Sequence, residues 1–308
     1  MAKISVVMTS YNHKEYIGLA IESIINQTFT DFELIIVDDN SNDGSQDVIR
    51  KYEKLDKRIV AIYRDENFGN YVLSTNYAAS FAKTDYLIFA QCDDFADKDQ
   101  LKNLWEIKQK NPKCKVIYSC SNLIDKNGCY LGNDFSCRSV DFKNYCKEST
   151  VLPKDMAHKL LVHSCIIPNL SAALVEKALF IKMNGLSTDF KVLADWDFWL
   201  RSSLVTDFYY IKEPLNNFRQ HDTTIRSSIK IEKQLDELYL MMNNLKKQSN
   251  KYTDYYINKA IGDIFWGFVV PITNRNILDI LMLIVKSMKV SLYEPILIIL
   301  SAFQRLLK

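Results

Sequence analysis

The sequence predicts an α/β fold, a mostly parallel sheet flanked by helices, with an all-helical extension at the C-terminal end. Two observations carry this. Short β-branched runs alternate with helical patterns over the first 120 residues, and the runs are apolar almost throughout, as strands covered on both faces must be. Such alternation builds right-handed βαβ units. Ile4 to Met8 is the first strand, and Lys14 to Gln27 is a helix with Ile17, Ile21, Ile24 and Ile25 on one face. Phe32 to Val37 is the second strand and 44–55 the second helix. Arg58 to Tyr63, a helix over about 71–82, Tyr86 to Ala90 and a helix over 98–110 continue the series, and Val116 to Ser119 closes it. From 121 to 194 the pattern loosens into short strands and a helical stretch near 153–163. Asp195 to Ser203 returns to helix with Trp196, Trp199 and Leu200 on one side, and beyond His221 the chain reads as helical.

Composition narrows the function. Lys+Arg 39 against Asp+Glu 37 leaves a formal charge of +2 on 308 residues, too neutral for a nucleic-acid binder that works by bulk charge. An aromatic content of 12% excludes a disordered solvating chain. Seven cysteines without a CxxC read as reduced thiols in a cytoplasm rather than a disulfide framework. A zinc cluster over Cys120–Cys146 is conceivable, yet the spacing fits no zinc motif and buried thiols are the better reading. The N-terminus has too short an apolar run for a signal peptide. Ile277 to Lys308 fails as a membrane span because Asp279, Lys286, Lys289 and Glu294 interrupt it. It reads as two amphipathic helices broken at Pro295, which either pack on the protein or lie at a membrane interface.

In a parallel sheet, ligands bind beyond the carboxyl ends of the strands. The first strand ends in Thr9-Ser10-Tyr11-Asn12, the second in Asp38-Asp39-Asn40-Ser41, the fourth in Gln91-Cys92-Asp93-Asp94. No GxGxxG or GxxxxGK[ST] follows any of them, so a glycine loop does not hold the phosphates. Hydroxyls, a ring and carboxylates suit a nucleotide-sugar held through a hard divalent cation. The plainer reading of each aspartate is a turn or helix cap.

SVVMTSYNHKEYIGLAIESIINQTF, FELIIVDDNSNDGS and FAQCDDFADKDQL, followed by ADWDFWLR and FRQHDTTIRSS, resemble the family 2 inverting glycosyltransferases of GT-A fold, of the bacterial surface-polysaccharide type. The resemblance covers most of residues 3–228. It implies a catalytic domain over 1–225, with a nucleotide-sugar-binding half (1–120) and an acceptor-side half (121–225), and a helical extension over 226–308. It implies that Thr9, Tyr11 and Asn12 contact the nucleotide, that Asp39 reads the uracil imide, and that Asn67, Gly69 and Asn76 lie near base and ribose. Asp93 matches the last aspartate of the DxD motif, a direct ligand of Mn²⁺ or Mg²⁺, and Asp94 is expected to orient the donor sugar. Asp195 matches the general base, and His221 a histidine near the diphosphate or metal.

Three departures stand out: Gln91 replaces the first DxD carboxylate, Ala194 the glutamate before the base, and Thr75 an arginine before Asn76. The implied partners are a UDP-sugar donor and a glycan or lipid-linked acceptor, with no nucleic acid. The implied location is cytoplasmic, with 277–308 a candidate for peripheral contact with the inner membrane face. A non-catalytic nucleotide-sugar or glycan-binding member is the alternative that Gln91 and Ala194 motivate. A nucleotidyltransferase on a similar sheet is a third reading, disfavoured because no glycine- and lysine-rich phosphate loop is present. Donor sugar, acceptor, linkage position and oligomeric state are not encoded in any motif.

Overall fold

The computed structural model describes residues 2–221 and 229–248. These fall into two compact units, one of 2–157 and 166–221, the other of 158–165 and 229–248. In chain order the elements are β1 (Ile4–Ser10), α1 (Lys14–Ile25), β2 (Phe32–Asp38), α2 (Ser45–Leu55), β3 (Ile59–Tyr63), α3 (Tyr71–Ser80) and β4 (Tyr86–Gln91). There follow β5 (Phe95–Ala96), α4 (Gln100–Lys110), β6 (Cys114–Ile124), β7 (Tyr130–Asn133), α5 (Val140–Tyr145), β8 (Thr150–Leu152) and α6 (Lys154–His163). The last are β9 (Ala173–Glu176), α7 (Lys177–Lys182), α8 (Ala194–Ser203), β10 (Asp207–Arg219) and α9 (Ile231–Gln248).

The first unit is built on one sheet of order β3-β2-β1-β4-β9-β6-β10-β5. β1 to β4 pair in parallel, as the alternating pattern predicts. β9 then enters antiparallel between β4 and β6, and β10 runs parallel to β6. The long strands therefore share one direction, and the sheet is mixed only through β9 and the short strands at its margins.

Burial explains why the strands lack alternation. Ile4, Val6 and Met8 of β1 join Leu34, Ile36 and Ile88 in one core with Ile17, Ile21 and Ile24 of α1 and Leu101 and Leu104 of α4. Val7, Ile35, Val37, Leu87 and Phe89 are equally buried on the opposite face. There Phe89 meets Phe180 of α7 at 5.0 Å, and Phe180 meets Phe198 of α8 at 5.4 Å. Each such side chain contributes about 1.5–3 kcal/mol on burial, so both faces hold the sheet in register.

Parallel register does the positioning. Ser10 lies beside Asp38, Thr9 beside Gln91, and Arg219 beside Ile124, so β1, β2, β4, β6 and β10 finish along one edge. β5, just past Asp93 and Asp94, pairs with Asn216 and Asn217 of β10 and folds the end of β4 onto that strand.

In the second unit Leu238, Met241, Met242 and Leu245 bury one face of α9 at helical spacing. Among the described residues no helix is long and apolar enough to cross a membrane. The amphipathic helices expected over 277–308 lie outside the described residues.

Candidate functional site

Two loops at the sheet edge are sewn together. Asn12 sits in the left-handed region (φ 55°), its N–H donates to Ser41 Oγ (2.9 Å), and its side-chain oxygen accepts from the Asn42 N–H (2.9 Å). The amide of Asn12 thus builds the loop, while Thr9 is half-buried and Tyr11 stands 47% exposed beside it. Asp38 is a turn-former, accepting from the Ser41 N–H and hydroxyl (2.8 and 2.6 Å) and from Gln46 (2.9 Å).

Asp39 is buried, and its carboxylate accepts from Arg64 Nε (3.0 Å), the Phe68 N–H (3.1 Å) and the Ser74 hydroxyl (2.7 Å). The Arg64 guanidinium lies 3.3 Å from the Phe68 ring centre. Asn67 accepts from the N–H of Gly69, whose φ of 65° suits glycine, and Asn70 caps α3 through the Val72 N–H (2.9 Å).

Asn76 ties α3 to a segment far along the chain. Its amide donates to the Leu186 carbonyl (2.8 Å) and accepts from the Leu186 N–H (2.9 Å), a two-point staple from α3 to the segment before α8. Arg201 reinforces that staple, donating to the carbonyls of Met183 and Gly185 while paired with Asp197 at 2.7 Å. Asp195 stands half-buried in the first turn of α8, one oxygen accepting from the Trp196 N–H (2.7 Å). Ala194 is fully buried.

Asp93 and Asp94 point to opposite fates. Asp93 Oδ2 lies 3.0 Å from His221 Nε2, and the Tyr16 ring flanks that imidazole at 5.5 Å. Burial pushes the Asp93 carboxyl up, but the His221 hydrogen bond and the charge of His13 outweigh it and hold the group below its ordinary value. Asp94 is buried and accepts from Asn169 (2.5 Å), the Ser171 hydroxyl (2.6 Å) and the Arg219 N–H (2.9 Å). Burial first, and the charge of Asp93 second, push its carboxyl up to about 8. Of the two, Asp93 is the more readily ionised. Three internal hydrogen bonds thus fix the Asp94 carboxyl beside Asp93.

Among the described residues no three His, Cys, Asp or Glu side chains group to hold a metal. Asp93 and His221 still fit a hard cation that takes its other ligands from a diphosphate and water. Adjacent ligands of an octahedral ion at about 2.1 Å are about 3.0 Å apart, the spacing of this oxygen and nitrogen. Cys92 is no ligand, since burial and the charges of Asp93 and Asp94 raise its thiol well above the ordinary value. Cys120 and Cys146 are buried free thiols and Cys129 and Cys137 exposed ones.

Sequence reasoning did not single out Asn169, Ser171, Arg201 or Arg219. Arg201 and Arg219 stood inside ADWDFWLR and FRQHDTTIRSS with no role attached to either.

The Glycosyl transferase family 2 profile matches residues 5–140. An uncharacterized glycosyltransferase of Methanocaldococcus jannaschii is 30% identical over 274 residues, 87% of each chain. The poly(ribitol-phosphate) beta-N-acetylglucosaminyltransferase TarP of Staphylococcus aureus is 35% identical over 121 residues, 38% of this chain and 36% of that protein. Among solved structures, S. aureus TarS 1-349 in complex with UDP-GlcNAc superposes with a TM-score of 0.68 at 18% identity, covering 85% of this chain and 72% of that one. The chain thus shares the fold of TarS.

Proposed function

The chain belongs to glycosyl transferase family 2, and on that premise we propose that it moves a sugar from a UDP-sugar to a glycan or lipid-linked oligosaccharide in surface-polysaccharide synthesis, with inversion at the anomeric carbon. The observation that carries the proposal is the Asp93–His221 pair at the end of β4, on the same sheet edge as the loops of Tyr11 and Asp39. The UDP-GlcNAc complex of TarS supports a UDP donor, and the name of TarP supports a polymeric acceptor.

Inversion is one in-line displacement. Asp195, in the first turn of α8, takes the proton of the acceptor hydroxyl as that oxygen attacks. Asp93 and His221 would hold Mn²⁺ or Mg²⁺, which supplies charge neutralisation for the departing UDP. On this reading Thr9 and Tyr11 meet the nucleoside. On the same reading Asp39, held by Arg64, Phe68 and Ser74, is the group that reads the uracil imide, and Asn67 and Gly69 shape the loop beside it. Asn12 and Asn76 act one step back, by fixing the loops.

The test is UDP release from a panel of UDP-sugars with Mn²⁺ and acceptor extract. Asp195→Asn should lower turnover on the order of 100- to 10,000-fold with UDP binding retained. Asp93→Ala should raise the Mn²⁺ requirement. UDP binding without turnover from any donor would favour the non-catalytic reading that Gln91 and the buried Ala194 motivate.

A further inference from the structure

Arg219 is the last residue of β10, only 3% exposed, and its guanidinium is spent on backbone. Nε donates to the carbonyl of Asp93 (2.7 Å), and Nη1 donates to the carbonyls of Asp125 (3.2 Å) and Lys126 (2.9 Å). Its charge lies 4.7 Å from the Tyr16 ring centre and 5.9 Å from that of Phe95. Its own N–H is held by Asp94 (2.9 Å). Three segments distant in sequence thus meet on one side chain: the 93–95 stretch between β4 and β5, the turn after β6 and the first turn of α1.

The turn at 125–129 has its own internal order. Asp125 Oδ1 accepts from the N–H groups of Asn127 and Cys129 (2.8 Å each), and the Gly128 N–H donates to the Asp125 carbonyl (3.0 Å). What joins this turn to the site is the fork of Arg219. Burying a guanidinium costs several kcal/mol unless its hydrogens and charge are met, and here carbonyl dipoles and a ring face meet them. A lysine could not serve both sides, because an ammonium is a point donor while the guanidinium presents Nε and Nη1 in fixed, divergent directions.

We propose that Arg219 is a positioning residue that clamps the 125–129 turn to the strand end carrying Asp93, so that the acceptor-side wall and the donor side of the crevice are set together. The effect on turnover rests on the glycosyl-transfer reading above, whereas the clamp itself does not. The exposed Lys126 in the turn supplies an independent readout. In Arg219→Lys, trypsin should cut after Lys126 about tenfold faster at a temperature where the chain is folded by circular dichroism. UDP release should fall by about tenfold while the calorimetric Kd for UDP with Mn²⁺ stays within about threefold, since the groups that meet the nucleoside are untouched.

Unchanged cleavage after Lys126 overturns the clamp, and faster cleavage with unaltered UDP release overturns its role in the reaction. On the wild-type chain, which needs no variant to fold, UDP with Mn²⁺ should slow amide exchange across 125–129 as well as around Asp93. Protection confined to the Asp93 segment also counts against the coupling. Absence of UDP binding by the wild type would defeat the donor reading instead, leaving the proteolysis result to decide the clamp.

Discussion

At the scale of single residues, Asp93 and Asp94 show how adjacent carboxyls acquire different work. Both were read from the same strand end, and only packing separates them. Asp93 keeps its charge beside His221, whereas Asp94 is enclosed by Asn169, Ser171 and the Arg219 N–H. A prediction follows from the carboxyl raised to about 8. The unfolded chain loses that proton near pH 4, while the folded chain keeps it to about 8, so the native state binds more protons across the window. Raising the pH from 5 to 8.5 should therefore cost stability, through Asp94 alone among the two. Melting temperatures of wild type and Asp94→Asn, taken across this range, check it. The variant should have the flatter profile, and identical slopes would mean that Asp94 is already ionised in the native state.

Among the elements, legibility followed covalent neighbourhood. β1, β2, β4 and the helices among them could be read because these strands are near-continuous apolar runs buried on both faces, while β3, an edge strand with Val60 exposed, shows in its β-branched run. β10 could not, because Lys212, Glu213 and Pro214 interrupt it with exposed residues and shift its register against β6. β9 is four residues long and acquires strand structure only from β4 and β6 on either side. The carboxylates at the strand ends were visible for the same local reason, while the partners that sort them, Asn169 and Arg219 above all, come from 75 and more residues away.

Asn76 belongs to this class, since its role is a staple to Leu186 that no spacing reveals. Gly185 faces it with φ 67°, and a Cβ there would stand 2.5 Å from Asn76 Oδ1. Gly185→Ala should destabilise the chain by about 2 kcal/mol or more, from the left-handed backbone and the displaced amide together. Truncating Asn76 opens that space, so Gly185→Ala in an Asn76→Ala background should cost less than it does alone. Additive losses in urea titrations of the four chains would separate the two residues.

For the molecule as a whole, the consequence of a shared sheet edge is that one ligand reaches several loops at once. Tyr11, Asp39 and Asp93 follow three different strands, and parallel register alone brings their backbones to the same margin. A nucleotide bound there would tie those strands together in the folded state and meet none of them in the unfolded chain. Mass action then sets the size of the effect. UDP at 100 times its Kd, with Mn²⁺, should add about 2.7 kcal/mol to stability. For a domain of this size that is a rise of roughly 5–10 °C in melting temperature. The rise should shrink in Asp39→Ala, because the carboxylate that orders Arg64, Phe68 and Ser74 is gone, and in Asp93→Ala only to the extent that Mn²⁺ contributes. Omitting Mn²⁺ should therefore reduce the shift of the wild type to that of Asp93→Ala while leaving the shift of Asp93→Ala itself unchanged. A wild-type shift indifferent to Mn²⁺ would mean that the base loops alone bind UDP, and that Asp93 and His221 hold each other rather than a cation.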